Sequence, residues 1–507
     1  MDIESHLPIL QVIVPLLFSP LVVLLQPRGL AWIATAAVCI LSFAIAINMA
    51  ILVLGGQTLE YELGGWQPPF GIALRIDAIS SLLLLIVTGA ATAAVLGCRE
   101  SLNQQIESHR QPLFFAAWLL LLAGLVGMVV TADAFNIFVF MEISSLAGYI
   151  LIAGGPDRRA LMAVFKYLIM GTIGATFYLI GVGLVYMMTG TLNLDDMARL
   201  LPGVTDQTTI TFAAAFITVG LALKAAMFPL HVWLPNAYTH APHAVTVFMA
   251  ACGTKVAVYI LLRFDFLVFQ SADLYHGLQF SLFLMPFALL GIVVASAVAM
   301  FEGQIKRMLA FSSVAQVGYI LLGASLLTQD GLTASFAHMF NHALAKSALF
   351  LSIACLGMRF TDLRIDQLAG AAKSMPFTAA AFLIGGLSLI GVPGTAGFIS
   401  KWLLIEALMG QGEQGLLMVG IVLLSSLMAV VYIWRTVEVL YFRTPIQPDS
   451  SQQDSSQQDN KVVLSEAPAL MVGVTLLMAT LNIVFGVMPD VPLSLAEAAA
   501  EILSGAR

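Results

Sequence analysis

Charge is scarce in this chain. Of 507 residues only 10% are Asp, Glu, Lys or Arg, against roughly 25% in an ordinary soluble domain, while 60% are hydrophobic. That excludes a soluble globule: no core of this length buries so many apolar side chains, and they fall in repeated runs near the ~20 residues that cross a bilayer. Cysteine is scarce too. Cys39, Cys98, Cys252 and Cys355 stand singly in or beside apolar runs, without CxxC or Cys/His metal spacing. This excludes a disulfide framework and an iron–sulfur cluster, and the four read as buried small hydrophobes. A basic cluster is missing, and a net charge of −7 argues against nucleic acid as a partner. No glycine-rich fingerprint stands between a strand and a helix, so no nucleotide or other cofactor is expected. The acidic start MDIESHLPIL, followed by a long apolar run, reads as a retained span and not as a removable signal peptide.

What is present is an all-α polytopic membrane protein, since helices satisfy their own backbone groups in hydrocarbon. About 14 transmembrane helices are counted, near 8–26, 31–54, 76–97, 112–131, 134–154, 161–188, 209–239, 243–262, 278–300, 308–328, 332–358, 376–409, 415–440 and 468–487. Helices 7, 11 and 12 read as broken. One membrane domain is expected, with its first three spans over 1–111, the next five over 112–262, a further five over 278–440, a polar linker over 445–461, and a final helix with a short tail over 468–507. The linker, PIQPDSSQQDSSQQDNK, cannot form a core and reads as disordered.

The basic residues orient the chain. With the N-terminus outside, inner loops carry Arg28, Arg99, Arg110, Arg158, Arg159, Lys306, Arg307, Arg359, Arg364, Lys373, Arg435, Arg443 and Lys461, and outer loops only Arg75, Arg199, Arg263 and Arg507. This bias places both termini outside in a multi-pass membrane protein with an even number of spans. Five basic residues remain, Lys166, Lys224, Lys255, Lys346 and Lys401, and all are lysines within or beside predicted spans. A lysine can lose its proton when desolvated, whereas an arginine effectively cannot.

A charge at the bilayer centre costs on the order of 3 kcal/mol, so each must face protein, water or a counter-ion. Glu142, in FNIFVFMEISSLAGYILI, is the main acidic candidate to pair with Lys224, and such a pair works either as a staple or as a protonation switch. Lys255 follows a span later. MFNHALAKSALFL then sets His338, His342 and Lys346 at i, i+4 and i+8 on one helix side, a candidate string of proton donors and acceptors. The two histidines alone have zinc-like spacing, but no Cys, Asp or Glu completes a site and the lysine repels a cation, so no metal is expected. Pro229 interrupts the span of Lys224, and Gly391, Pro393, Gly394 and Gly397 interrupt that of Lys401. Discontinuous helices expose backbone groups at mid-depth, which is tolerated where protein or water surrounds them. A broken helix with a lysine in each half suggests a duplicated architecture. His231, His240 and His243, near the inner end of the first half, are candidate proton inlets. Spacings such as Gly171 with Gly174 and Gly181 with Gly183 mean no more than close packing.

These stretches, with LKAAMFPLHVWLPNAYTHAPHAVTVFMA and GVPGTAGFISKWLL, resemble the antiporter-like subunits of respiratory complex I, membrane-bound hydrogenases and Mrp-type multi-subunit Na+/H+ antiporters, over roughly residues 70–440. Within that superfamily the chain is most similar to the D-type component of the Mrp antiporters. The resemblance implies fourteen helices with two inverted five-helix repeats, spans 4–8 and 9–13. It also implies roles: Glu142 as the conserved fifth-span glutamate, Lys224 as its partner on broken helix 7, and Lys255 as the eighth-span lysine. His338, His342 and Lys346 become the central positions of broken helix 11, and Lys401 the terminal lysine of broken helix 12. Partners would be other small membrane subunits of a hetero-oligomeric antiporter, with H+ and Na+ as transported ions. Only about 20 residues follow residue 487, so no lateral arm clamping neighbouring subunits is expected. Two rival readings stand beside a proton-carrying antiporter subunit: a proton-pumping subunit of a redox enzyme, and a non-transporting scaffold whose charges staple helices.

Overall fold

A computed structural model describes residues 3–25, 29–269, 283–444 and 465–505. The chain folds as a multi-pass bundle of apolar helices. The expected linker over 445–461 lies outside the described residues, as do Arg28, Lys461 and Arg507 of the orientation count. The spans are α1 Leu7–Val23, α2 Leu30–Leu54, α3 Ala78–Gly97, α4 Gln111–Val130, α5 Ala134–Ala153, α6 Arg159–Thr189, the split pair α7 Gln207–Lys224 and α8 Trp233–His240, and α9 His243–Arg263. They continue with α10 Met285–Phe301, α11 Ile305–Ala324, α12 Gln329–Gly357, the split pair α13 Pro376–Ile390 and α14 Ala396–Met409, α15 Gly412–Tyr441 and α16 Ala469–Val487. A two-stranded antiparallel hairpin, β1 Leu59–Glu62 with β2 Ala73–Ile76, fills the connection between α2 and α3.

The helices close into two five-span rings. In the first, α4, α5, α6, the α7/α8 pair and α9 pack in that order and α9 returns to α4. In the second, α10, α11, α12, the α13/α14 pair and α15 follow the same cyclic order and α15 returns to α10. The rings meet where α9 and α8 pack on α12 and α11. Helices α9, α11 and α12 are thus the most enclosed, and they carry most of the candidate site.

Both breaks follow from proline chemistry. A proline at i cannot donate to the carbonyl of i−4 and its ring clashes there. Pro229 therefore ends α7 at Lys224, next to Ala225, and the indole Nε1 of Trp233 donates to the Leu223 carbonyl at 2.9 Å. In the second break Gly391 ends α13 with φ +91°, the left-handed turn that glycine adopts without strain. Gly397 lets α14 approach so closely that an added Cβ would lie 1.8 Å from the Ser388 carbonyl oxygen.

The eleventh span corrects the expectation of a third break. As α12 it runs unbroken over Gln329–Gly357, because no proline lies inside and its glycines, Gly331 and Gly357, stand at its ends. The tail also differs from a simple coil. Residues Asp490–Ser504 form a helix, α17, whose Leu495, Ala496, Ala499, Ala500 and Leu503 are buried against α12 and α3. Two loop-assigned bases are buried as well. Arg263 pairs with Asp77 at 2.5 Å, and the Lys306 ammonium donates to the Ala241 carbonyl at 2.7 Å.

Candidate functional site

The candidate residues fall into two groups. The first lies between α5, α6 and α7. Lys224, the last residue of α7, donates from Nζ to Ser145 Oγ at 2.7 Å, one turn along α5 from Glu142. Glu142 is half-buried and its Oε1 has no hydrogen-bond partner in the protein, yet it is the charged group that acts electrostatically on Lys224. The serine thus stands in the direct contact expected of the carboxylate. Gly171 of α6 makes room for this group: a Cβ there would lie 2.3 Å from Tyr149 Oη and 3.5 Å from Lys224 Nζ.

The second group is a string on α9, α12 and α14. Lys255, fully buried, donates to the Ala250 carbonyl of its own helix at 2.5 Å. Lys346, also fully buried, donates to the Leu309 carbonyl at 2.7 Å and to Ser312 Oγ at 2.5 Å, both on α11. One turn back, His342 has neither ring nitrogen partnered by protein and is 2% exposed. Its ring stacks on that of His338 with centroids 6.1 Å apart and planes 7° apart. His338 is held at both nitrogens, Nδ1 to Ser400 Oγ at 2.9 Å and Nε2 to Gln316 Oε1 at 2.8 Å. Lys401 closes the string: its ammonium donates to the carbonyls of Leu389 and Ile390 and to Ser426 Oγ, and stands 5.0 Å from the centre of the Tyr319 ring. Lys255 acts electrostatically on His338, His342 and Lys346, and Lys401 on both histidines.

Beside the first group lies a cavity of about 50 Å³, lined by Ser144, Ser145 and Lys224 and, on α9, by Gly253 and Ala257. That volume is large enough for water.

The three candidate inlets stand apart from the string. His231 lies in the first break with its ring 5.4 Å from that of Phe228, and its buried Nδ1 has no protein partner. His240 pairs with Asp157 at 2.8 Å. Burial would raise the Asp157 carboxyl, but hydrogen bonds from Arg159 and His240 hold it at about 2. His243 is buried at the start of α9, beside Gly357 at the end of α12, and Lys306 acts electrostatically on it. Twelve residues of α9 separate His243 from Lys255, about 18 Å along a helix.

Around these groups stand neutral polar side chains that no charge pattern marks: Ser145, Ser312, Gln316, Ser400 and Ser426, with the phenol of Tyr319. A usable signal did exist. SSLAGYIL at 144–151 and SSVAQVGYIL at 312–321, one in each ring, share the ends SS and GYIL, with two residues between them in the first and four in the second. Their serines Ser145 and Ser312 each take a lysine ammonium, and their tyrosines Tyr149 and Tyr319 each stand beside the lysine of a broken helix.

The family described as "NADH:quinone oxidoreductase/Mrp antiporter, TM" matches residues 131–429. Among curated relatives, the chain is 38% identical over 490 residues to the N component of the NADH-quinone oxidoreductase of Desulforudis audaxviator, covering 96% of each. It is 28% identical over 405 residues to the D component of the Na(+)/H(+) antiporter of Alkalihalophilus pseudofirmus, covering 80% of each. Among solved structures, a chain of the membrane-bound sulfane sulfur reductase, an archaeal respiratory membrane complex, superposes with TM-score 0.87 at 32% identity, covering 98% of each chain. A chain of the Mrp complex from Dietzia sp. superposes with the same TM-score, 0.87, at 26% identity, covering 99% of this chain and 98% of that one.

Proposed function

Because the chain belongs to the NADH:quinone oxidoreductase/Mrp antiporter transmembrane family, we propose that it carries protons within a multi-subunit membrane complex, and that this complex is a monovalent-cation (Na+)/H+ antiporter. One observation carries the reading: Lys255, Lys346, His342, His338 and Lys401 are all buried on three packed helices, with no carboxylate among their hydrogen-bond partners in the described residues. Gathering three amines and two imidazoles away from water and from counter-charge disfavours charging all of them together. Helix staples need no such frustration; a path along which protons move does.

A proton is taken up near Lys224 or Lys255, passes Lys346, His342 and His338, and leaves from Lys401. The unpartnered nitrogens of His342 support water along this route, since buried polar atoms are nearly always hydrogen-bonded. Glu142 and Lys224 set whether the string holds or releases its protons, with His231, His240 and His243 as inlets. The two rings are the inverted repeats, a reading supported by their common packing order. Na+ is exported at a partner subunit or its interface, in a bacterial inner membrane with both termini outside. The partners are other small membrane subunits. In vesicles of the whole complex, Glu142→Ala or Lys224→Ala abolishes coupled exchange while assembly is kept; full exchange in either variant overturns the reading.

A second reading is favoured by the 38% identity to a relative named for NADH-quinone oxidoreductase and by the 32% identity to a respiratory complex. There the same path is driven by electron transfer in partner subunits. Mass spectrometry of the purified complex decides: iron–sulfur or quinone-site proteins select the redox machine, small membrane subunits alone the antiporter.

A further inference from the structure

His338 is the one member of the string whose two ring nitrogens are both occupied by protein side chains. Gln316 presents its carbonyl oxygen to Nε2 at 2.8 Å, and a carbonyl accepts only, so Nε2 carries a hydrogen. Ser400 Oγ lies 2.9 Å from Nδ1 and 3.4 Å from the Gly397 carbonyl oxygen. A hydroxyl with two such neighbours has two settings. Donating to Nδ1, it suits the neutral ring; turned to donate to Gly397, it accepts from Nδ1–H and suits the protonated ring. Gln316, as it stands with Oε1 on Nε2, serves Nε2–H in both states.

We propose that Gln316 and Ser400 are the positioning residues of the path: together they fix the His338 tautomer, make Nδ1 its only proton-accepting atom, and turn that atom toward the Lys401 end of the string. The inference rests on the proton path proposed above. It adds a direction to it. The ring of His342 stacks on His338 without a hydrogen bond between them, whereas Ser400 precedes Lys401 in α14 and Tyr319 touches both His338 and Lys401. A proton leaves Nδ1 for Ser400 Oγ when the hydroxyl turns from the Gly397 carbonyl and gives its own proton, through water, to a neutral Lys401 amine. The serine stays a hydroxyl, now donating to Nδ1, the imidazole becomes neutral and the lysine becomes charged. With both ring nitrogens held, Nε2 by Gln316 and Nδ1 by Ser400, the step is gated by the serine hydroxyl.

The test uses the whole complex in proton-loaded vesicles, with transport followed as a function of pH. Ser400→Ala lowers transport by about a hundredfold, the order expected when a proton-transfer group is removed, and Ser400→Thr restores it. Gln316→Glu, which places a carboxylate on Nε2–H and favours the charged ring, moves the pH profile toward higher pH by about one unit or more. Lys346→Ala is the separate control for the path. If Lys346→Ala abolishes transport while Ser400→Ala keeps the wild-type rate, or Ser400→Thr is as impaired as Ser400→Ala, or Gln316→Glu leaves the profile in place, the positioning role is overturned and the path stands. If Lys346→Ala transports normally, the path itself fails.

Discussion

The Lys401 ammonium lies 3.0 Å from the Leu389 carbonyl oxygen, the acceptor that Pro393, four residues on, cannot serve. A second bond, 2.9 Å to Ile390, completes the cap. A helix end concentrates orphan carbonyls and about half a negative charge, so the break itself supplies a counter-charge for a buried cation. No acidic residue is needed. Loss of the lysine proton weakens this cap, which ties the state of the amine to the packing of the broken helix.

Lys401→Met is therefore expected to cost stability as well as transport. It leaves two carbonyls at mid-depth without their ammonium donor, at about 1–3 kcal/mol for a buried unsatisfied group. The melting temperature of the purified complex falls and transport is lost. Lys401→Glu falls further, since it turns a carboxylate toward the negative end of α13. A melting temperature equal to wild type in Lys401→Met removes the capping role.

The distribution of lysines was legible in the sequence because a charge inside an apolar run stands out against its surroundings, and Pro229 and Pro393 marked both real breaks. The supposed break in the eleventh span was not in the residues: nothing between Gly331 and Gly357 interrupts a helix. What composition hides is the small polar shell. Serine in a membrane helix usually bonds its own backbone, as Ser347 does to Ala343, Ser145 to Met141 and Ser312 to Leu309, and only packing shows that the last two also accept from a lysine. Burial of Arg263 and Lys306 was equally hidden, because both sit at helix ends that read as loops.

Gly171 offers a steric test on α6. Gly171→Ala drives a methyl into Tyr149 Oη and toward Lys224, whereas Gly183→Ala on the same helix meets nothing within 4 Å. The first should cost about 1–3 kcal/mol and impair transport, the second neither. Adding Tyr149→Phe to Gly171→Ala removes the struck oxygen and recovers much of the loss. Equal melting temperatures for the two alanine variants would show that the glycine is not holding this space.

The Asp157–His240 contact sits outside the spans and gives a pH prediction of definite sign. The folded carboxyl is held at about 2, below the 3.8 of an ordinary aspartate, so its contribution to stability is present above about pH 4 and disappears as pH falls toward the folded value. Asp157→Asn should melt lower than wild type at neutral pH, and the gap should close on acidification. A gap that widens on acidification contradicts the assignment.

The two stacked histidines separate transport from folding. His338 satisfies Gln316 and Ser400, so His338→Leu strands two buried polar side chains and should destabilise the complex by about 1–3 kcal/mol. His342 has no protein partner to strand, and replacing a buried, unsatisfied ring with an apolar one of similar size is close to neutral. His342→Leu should therefore melt like the wild type and yet lose proton transport, because it removes a proton carrier from the middle of the string and the water it would bind. A scaffold whose charges only pin helices predicts the same melting for this residue but no loss of transport. Melting and transport assays on the two variants, run side by side in the intact complex, distinguish a conducting string from a stapled bundle.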